Sequence, residues 1–317
     1  MIVTVTPNPA LDHTYRIDRL EVGEPNRVNA PAVRAGGKGL NVTRVLRQQG
    51  QPSHAVTTAG GASGALLAAD IDASGLPITL VPVGSPTRSS IAIVDLMGDA
   101  TTVLNEVGSP LDEAELAALV GAVRRELASA SCLVVSGSLP PATAEGFAAD
   151  LVDAARAASV PTIVDAMGDA LLLAASAGAA VLKPNRRELA ATTKTDDPLA
   201  GARLLTGRGA GLVVVSLGTE GMLAVPREGD AMHAALPLSF SGNPTGAGDA
   251  AVAALAVGLL ETASTTVASG VWSREELEPM LRRAVVWSAA SVLAPLAGEL
   301  APGHEALGDR VGFEVWR

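Results

Sequence analysis

Short runs of apolar and β-branched residues alternate with longer helical patterns along this chain of 317 residues, and polar residues follow the runs. Such runs lie at residues 2–6, 132–135, 162–164, 179–182 and 212–215. A strand with one face exposed to solvent would alternate apolar and polar residues. Runs that are apolar throughout are typical of parallel strands that are buried on both faces. The pattern therefore predicts an α/β fold in which helices flank a mainly parallel sheet.

The polar residues that follow these runs predict where a ligand would bind. Parallel strands end at the same edge of a sheet, and ligands of such folds bind in the crevice beyond that edge. The residues that fall there are Asp12, Ser136, Asp165, Lys183, Asn185 and Ser216. We expect them to converge on one site.

The stretch from Asn243 to Asp249 (NPTGAGD) precedes an apolar run at residues 250–260. Its glycines predict a tight turn, and the run predicts a helix that is buried on every side. The start of a helix presents unpaired N–H groups and partial positive charge, which suit an anion such as phosphate. Asp249, at this start, could either cap the helix or accept a proton from an attacking hydroxyl.

Two segments, at about residues 14–35 and 87–107, have short alternating patterns that predict β-structure outside the main sheet. We expect them to form a flap over the site. Between them, the Gly-rich stretch at residues 36–39 precedes a helical pattern at 40–49, which would place Lys38 and Asn41 at the mouth of a helix.

Several of these polar residues also have ordinary interpretations. Lys183 could be a solvated lysine, and Asp12 could close a turn with its own backbone. Glu188 could be a first-turn acid that is stabilised by the helix dipole. Alternatively, Glu188 and Asn185 could provide oxygen ligands, direct or through water, for Mg²⁺ that accompanies a nucleotide.

Composition excludes other classes of function. The net charge of −10 argues against nucleic acid as a partner, so local basic groups must bind any anion. A single cysteine, Cys132, and four histidines without metal-ligand spacing favour neither disulfides nor a histidine metal site. The long apolar stretches are interrupted by Gly, Pro or charge, so no membrane span is expected. No leader pattern opens the sequence, and a reducing, cytoplasmic location fits.

Eight short motifs occur along the chain: TPNPALD at 6–12, GGKGLN at 36–41, TR at 87–88, NE at 105–106, SGSLP at 136–140, KPNRRE at 183–188, SLG at 216–218 and GAGD at 246–249. With these motifs, the sequence resembles the ribokinase-like (PfkB) sugar kinases, and within them the branch containing 1-phosphofructokinase and tagatose-6-phosphate kinase. The motifs span almost the whole chain in the order found in the family. The resemblance implies one ribokinase-like α/β domain over residues 1–317, with a small β-sheet lid formed by the two flap segments.

The resemblance also implies a reaction, in which the γ-phosphoryl group of ATP passes to a hydroxyl of a sugar phosphate with the help of Mg²⁺. Fructose 1-phosphate, tagatose 6-phosphate and fructose 6-phosphate are the acceptors it suggests. Asp249 would be the general base, and the amides of Gly246, Ala247 and Gly248 would form an anion hole. The implied partners are ATP, one sugar phosphate and a second copy of the chain, which would bind through the lid.

The remaining roles follow from the same resemblance. Asp12 and Asn41 would hold sugar hydroxyls, and Gly37 and Ser136 would also contact the sugar. Lys38 and Arg88, with Arg27 from the flap, would hold the phosphate already on the sugar. On the nucleotide side it implies Lys183, Asn185, Ser216, Gly218 and Thr245, with Asn185 and Glu188 associated with Mg²⁺.

Two other functions stay open on the sequence alone. The same fold could phosphorylate a free sugar or a nucleoside, for which a basic phosphate pocket would be unnecessary. It could also serve as a non-catalytic sensor that binds a phosphosugar. The presence of Asp249 beside the glycine turn argues against the sensor.

Overall fold

A computed structural model describes residues 1–98, 100–143, 146–238, 240, 242 and 244–316. The strands are β1 Ile2–Thr6, β2 Ala10–Ile17, β3 Ala32–Gly36, β4 Ser53–Ala59, β5 Ile78–Pro82, β6 Arg88–Asp95, β7 Ala100–Asn105, β8 Cys132–Ser136, β9 Thr162–Asp165, β10 Val181–Leu182, β11 Leu212–Ser216, β12 Met222–Pro226, β13 Ala231–Ala235 and β14 Gly312–Trp316. The α-helices are α1 Lys38–Gln48, α2 Gly61–Ser74, α3 Glu113–Leu127, α4 Phe147–Ala157, α5 Asp169–Ser176, α6 Arg186–Thr193, α7 Pro198–Arg208, α8 Ala247–Glu261, α9 Ser264–Ser269 and α10 Arg274–Val292.

Ten of the strands form the main sheet, in the order β14-β13-β12-β11-β10-β9-β8-β1-β4-β5. Seven neighbouring strands of this sheet run parallel, namely β11, β10, β9, β8, β1, β4 and β5. The strands β12, β13 and β14 add an antiparallel edge. The predicted mainly parallel sheet is therefore confirmed. The direction of chain progression reverses at β1, which lies between β4 and β8, and this kind of switch point opens a crevice for ligands.

Helices cover both faces of the main sheet. On one face, α1, α8 and α10 pack against apolar residues of the strands, and α8 is buried from Asp249 to Leu259. On the other face, α3, α4, α5, α6 and α7 pack on the alternate residues of the same strands. The predicted helix that is apolar all round is confirmed as α8, whose small alanine side chains let neighbouring helices approach closely.

A second, four-stranded sheet has the order β3-β2-β6-β7 and is called the small sheet below. Its central pair, β2 and β6, is parallel, and the outer pairs are antiparallel. Leu11 and Ala35 anchor its base in a small apolar cluster that includes Leu40 of α1 and Ile71 of α2. The small sheet therefore stands on the start of α1 and on α2.

One local expectation from the sequence was wrong. Asp12 lies inside β2 and not at the exit of β1, because the chain enters the small sheet at residue 10, four residues before the flap was expected. Residues 144 and 145, before α4, lie outside the described residues. Asn243, the first residue of the predicted catalytic turn, also lies outside them.

None of the described helices is both long enough and apolar enough to cross a bilayer.

Candidate active site

Asp249 lies in the first turn of α8, at the mouth of a cleft. Gly246, the residue before the helix, has φ +90°, a conformation that residues with a Cβ rarely adopt, and a Cβ there would lie 3.1 Å from Ala297. The Asp249 side chain makes no capping bond to the helix. Instead, its Oδ2 accepts an N–H from the side chain of Asn41 at 2.9 Å. The capping interpretation is therefore wrong, and the carboxylate faces the start of α1.

Burial raises the pKa of Asp249 to about 6, because only 5% of the residue is exposed to water. The ammonium of Lys38 and the bond from Asn41 oppose this rise, and the negative charge of Asp165 adds to it. A carboxylate whose pKa lies close to neutral pH is suited to accept a proton and later release it.

The N–H groups at the start of α8 are not all equally free. The amide of Ala247 donates to the carbonyl of Pro244 at 3.2 Å within the turn, and the amide of Ala250 makes the first helical bond, to Gly246. The amide of Gly248 lies in the first turn, where helix geometry offers it no carbonyl four residues back. Gly246, Ala247, Gly248 and Thr245 all line the cleft. The geometry suits an anion at this turn, and the bond made by Ala247 makes its amide the least available.

Lys38, the first residue of α1, bridges the cleft to β9. Its Nζ donates to both carboxylate oxygens of Asp165, at 3.1 and 3.2 Å, and lies 3.9 Å from Oε1 of Glu188. Its attraction to Asp165 raises the pKa of this ammonium, although burial works the other way. Lys38 therefore stays charged, and it lies among the acidic groups that surround Asp249.

Asp165 is itself almost completely buried. Burial works against its charged form, yet the ammonium groups of Lys38 and Lys183 and the bonds from Lys38 and Ser136 hold its pKa below the usual range. The hydroxyl of Ser136 donates to Asp165 Oδ2 at 3.1 Å. Asp165 thus stays negative and fixes the position of Lys38.

Lys183 follows β10 and reaches the same place from the other side. Only 3% of the residue is exposed, so the interpretation of a solvated lysine is wrong. Its Nζ donates to the hydroxyl of Ser216 at 3.2 Å, and a Cβ on Gly248 would lie 3.4 Å from that nitrogen. Two lysines, at positions 38 and 183, therefore face the start of α8 without strong ion pairs to Asp249 itself.

Asn185 and Glu188 form a reciprocal capping box at the start of α6. The Asn185 side chain accepts from the amide of Glu188 at 2.8 Å, and Glu188 Oε2 accepts from the amide of Asn185 at 2.9 Å. The ordinary interpretation of Glu188 as a first-turn acid is therefore confirmed. The capping box leaves Glu188 Oε1 and one lone pair of the Asn185 side-chain oxygen, Oδ1, for another partner.

Among the described residues, no group of three or more His, Cys, Asp or Glu side chains could hold a metal ion by itself. The oxygen donors near Glu188 and Asp165 are nevertheless of the kind that Mg²⁺ prefers. Because Mg²⁺ keeps several waters and uses substrate phosphates as ligands, these donors fit an ion that arrives with a phosphorylated substrate. They do not fit a resident structural ion.

Asp12 and Arg88 lie on neighbouring strands of the small sheet. Burial raises the pKa of Asp12 to about 6, against the pull of Arg88 and Arg44. A Cβ on Gly36 would lie 2.0 Å from the Asp12 carboxylate, so only glycine leaves room for it there. Burial lowers the pKa of Arg88, whose guanidinium donates to the carbonyls of Asn8, at 3.2 Å, and Glu106, at 3.0 Å.

The cleft that joins these groups has a volume of about 1550 Å³. Its lining includes Asp12 and Arg88 of the small sheet, Gly37 and Asn41 at the start of α1, Ser216 and Gly218 at the end of β11, and apolar residues such as Phe240 and Val292. Asp249 and its glycine turn also line it. A cleft of this volume, with polar groups from several elements and apolar residues between them, can hold two different small molecules at once.

Two predicted site residues do not line this cleft. Ser136 is buried behind Asp165 and uses its hydroxyl there, so it acts on that carboxylate. Arg27 lies in the exposed segment between β2 and β3. The other predicted residues, Asp12, Gly37, Lys38, Asn41, Arg88, Lys183, Asn185, Glu188, Ser216, Gly218, Thr245, Gly246, Ala247, Gly248 and Asp249, all line it.

Sequence reasoning gave no chemical role to three residues that matter here: Asp165, Arg44 and Arg34. The strand end predicted that Asp165 lies at the site, but no local signal showed that Lys38 and Lys183 lie beside it. Arg44 and Arg34 had no signal at all, because only tertiary packing brings α1 and β3 to the partners of these side chains. Arg44 donates to the carbonyl of Ala35 at 2.6 Å and pairs with Asp70 at 2.9 Å, beneath the small sheet.

Comparison with known proteins agrees with this geometry. A model of the family described as pfkB family carbohydrate kinase matches residues 5–302. The chain is 36% identical over 264 residues to the ATP-dependent 6-phosphofructokinase isozyme 2 of Mycobacterium tuberculosis, covering 81% of this chain and 77% of that protein. It is 36% identical over 274 residues to the 1-phosphofructokinase of Xanthomonas campestris pv. campestris, covering 83% of this chain and 85% of that protein.

Solved structures show the same fold. Phosphofructokinase-2 from Escherichia coli in complex with fructose-6-phosphate superposes with a TM-score of 0.83 at 30% identity, covering 98% of this chain and 97% of that chain. A structure of the tetrameric inhibited form of the same enzyme gives a TM-score of 0.83 at 29% identity, with coverage of 98% and 97%.

Proposed function

Because the chain belongs to the pfkB family of carbohydrate kinases, it is a phosphotransferase that acts on a sugar hydroxyl, and we propose that its acceptor is a sugar that already carries a phosphate. The acceptors we propose are fructose 6-phosphate, fructose 1-phosphate and tagatose 6-phosphate, with ATP as the phosphoryl donor. Relatives named 6-phosphofructokinase and 1-phosphofructokinase support this class of acceptor without choosing among its members.

The observation that carries the proposal is the position of Asp249. Its carboxylate has a pKa of about 6, lies beside the anion-binding turn of α8, and lines the same cleft as Asp12 and Arg88. We propose that Asp249 accepts the proton of the attacking sugar hydroxyl at Oδ1, while Asn41 holds Oδ2. The amides of Gly246 and Gly248, and Ala247 when its turn bond opens, would then stabilise charge on the transferring group.

The two lysines would act on different phosphate groups. The contacts of Lys38 favour a role at the migrating phosphoryl group, since its ammonium lies near Asp165, Glu188 and Asp249. Lys183, close to Gly248, would neutralise charge on the nucleotide phosphates, with Ser216, Gly218 and Thr245 beside them. Asn185 and Glu188, directly or through water, would hold Mg²⁺, which when bound would screen the phosphate oxygens.

Asp12, Asn41 and Gly37 would orient the sugar. Arg88 would bind the phosphate of the sugar. Its three bonds to backbone carbonyls use three of the five N–H donors of the guanidinium, which leaves two donors for the phosphate. Ser136 would act indirectly, through Asp165. Arg27 lies away from the cleft of its own chain, so we assign it no contact there.

We also propose that the whole chain acts as one domain, with the small sheet as a lid and as the surface that binds a second copy. Leu104 of β7 is 56% exposed and Val107, just after it, is 74% exposed. A tetrameric form is known for the Escherichia coli relative, which supports self-association in this group of proteins.

The proposal is tested by ATP turnover with fructose 6-phosphate, fructose 1-phosphate and tagatose 6-phosphate, each compared with its unphosphorylated sugar. We expect kcat/KM for one phosphosugar to exceed that for its free sugar by about 100-fold or more, because the free sugar has no phosphate with which to form charge-assisted hydrogen bonds. Equal turnover of a free sugar or of adenosine would contradict a phosphorylated acceptor. Binding of a phosphosugar without turnover would support the sensor instead.

A further inference from the structure

The segment at residues 295–300, between α10 and the C-terminal strand, packs directly on the catalytic turn. We call it the 295–300 loop. A Cβ on Gly246 would lie 3.1 Å from Ala297, and a Cβ on Gly298 would lie 3.1 Å from both Cα and Oδ1 of Asn41. Gly246 begins the anion-binding turn, and Asn41 holds the Asp249 carboxylate. A shift of this loop would therefore move both neighbours of the base, because close-packed groups transmit displacement.

The small sheet grips the same loop. Arg34 of β3 donates from Nη1 to the carbonyl of Ala297 at 3.2 Å and pairs with Glu299 at 2.8 Å. Arg16 of β2 adds a bond to the carbonyl of Pro295 at 3.2 Å. The side chain of Arg34 is 22% exposed and that of Glu299 34%, so this ion pair is partly shielded from water. Bonds of a shielded guanidinium to a charged group are stronger than those of a solvated one.

Arg34 is also tied to the sugar end of the cleft. It lies directly opposite Asp12 in the antiparallel pair of β2 and β3, so both side chains project from the same face of the small sheet. Its positive charge is one of those that oppose the rise in the pKa of Asp12. The far end of the loop is held differently: Gln48 of α1 exchanges two bonds with the backbone of Leu300, both at 2.8 Å.

We propose that Arg34 is a positioning residue that couples the small sheet to the catalytic turn through the 295–300 loop. A displacement of β2 and β3 when Asp12 binds the sugar is passed by Arg34 to Ala297 and Glu299. From there it reaches Gly246 and Asn41, and so the orientation of Asp249. The role in catalysis rests on the proposed function, whereas the mechanical coupling does not.

The test compares Arg34→Met, Arg34→Lys, Glu299→Gln and the double variant Arg34→Met/Glu299→Gln with the parent chain. In ATP turnover with fructose 6-phosphate and fructose 1-phosphate, we expect Arg34→Met to lower kcat about tenfold with little change in KM for ATP, because the base is misplaced but the nucleotide end is intact. Arg34→Lys should recover part of the loss. The kcat of the double variant should be no lower than that of Arg34→Met, since both substitutions break the same ion pair.

A second measurement does not depend on turnover. Hydrogen exchange of the full chain should be faster at residues 293–301 in Arg34→Met than in the parent, and fructose 6-phosphate or fructose 1-phosphate should slow exchange there in the parent only. If no sugar is phosphorylated but exchange still responds to Arg34, the proposed function fails and the coupling stands.

Arg203→Met is the matched control. Arg203 of α7 also donates to two carbonyls of a turn, those of Pro226 at 2.9 Å and Gly229 at 2.8 Å, but these carbonyls lie outside the 295–300 loop. We expect its kcat and the exchange at residues 293–301 to be unchanged. An unchanged kcat in Arg34→Met, an equal loss in Arg203→Met, or unchanged exchange at the loop would each overturn the coupling.

Discussion

The ten-stranded sheet and the small sheet bury their residues very differently. Every residue of β1 and β8 is buried, whereas five of the six residues of β7 are exposed. The main body holds Asp249, Lys183 and Asp165, which must keep fixed positions and a dry environment. The small sheet carries Asp12 and Arg88, which in the proposed function would contact the sugar. The proposed roles therefore place the chemistry in the part that is held from all sides and substrate capture in the more exposed part.

The small sheet gains its position from few apolar contacts. Its buried apolar residues are Ala10, Leu11, Ile17 and Ala35. Hydrogen bonds that involve Asp70, Arg44 and Arg34 complete the attachment. Polar bonds hold a position without the large apolar burial that would make it rigid. A thin sheet attached in this way can respond to a ligand at a low energetic cost.

The strongest test of the division is the base itself. Asp249→Asn removes the proton acceptor but keeps the shape and the bond partner of Asn41, so we expect kcat to fall on the order of 10²-fold or more. KM for either substrate should change far less. Initial rates at saturating ATP and sugar phosphate measure this change, and near-normal turnover would remove Asp249 from its assigned role.

The pH dependence of kcat/KM compares the body and the small sheet within one experiment. Asp249 in the body and Asp12 in the small sheet both have a pKa raised to about 6, and the proposed roles require both as carboxylates. Protonation below pH 6 should therefore lower kcat/KM, about tenfold at pH 5 for each group and about 100-fold for both.

Asp12→Asn provides the matched variant for that profile. It removes one of the two titrating groups, so the acid limb of its residual activity should fall with a slope close to one instead of two. An acid limb of unchanged slope would mean that Asp12 does not titrate in this range. A flat profile between pH 5 and 8 in the parent would contradict the raised pKa of Asp249 as well.

Arg88→Met tests the capture end alone. Loss of the guanidinium should raise KM for a phosphorylated sugar about tenfold or more while kcat stays within a few-fold, because the contact is made equally before and during the reaction. The KM for ATP serves as the internal control and should hardly move. A rise in both KM values together would show that Arg88 supports the small sheet as a whole.

The smallest expected effect concerns the exposed edge of the small sheet. Leu104→Lys places a charge on a half-exposed apolar position of β7 and should shift an assembly of two chains toward single chains in light scattering at micromolar concentration. Leu66→Lys of α2 places a charge on a residue that is similarly exposed, at 58%, but lies outside the small sheet; it is the control and should leave the assembly unchanged. A Leu104→Lys chain that assembles like the parent would place the contact elsewhere.

Much of the site was predictable from the sequence because its residues lie at the ends of buried strands or at the start of a helix. Asp249, Lys183 and Asn185 were found in this way, and each lines the cleft. The hydrogen-bond and ion-pair partners of the site residues were not predictable from the sequence. Lys38 was expected beside Arg88 on the sugar phosphate but pairs with Asp165, and Ser136 was expected on the sugar but bonds the same carboxylate.

By itself, the sequence determined the class of fold, the buried helix α8 and the edge of the sheet where ligands bind, since apolar periodicity and glycine conformations are local properties. Only the tertiary structure decided which charges face one another, how far burial raises the pKa of Asp249 and Asp12, and that Arg34 reaches Glu299. These properties depend on distances between residues far apart in the chain and on the water excluded between them, which no local pattern encodes.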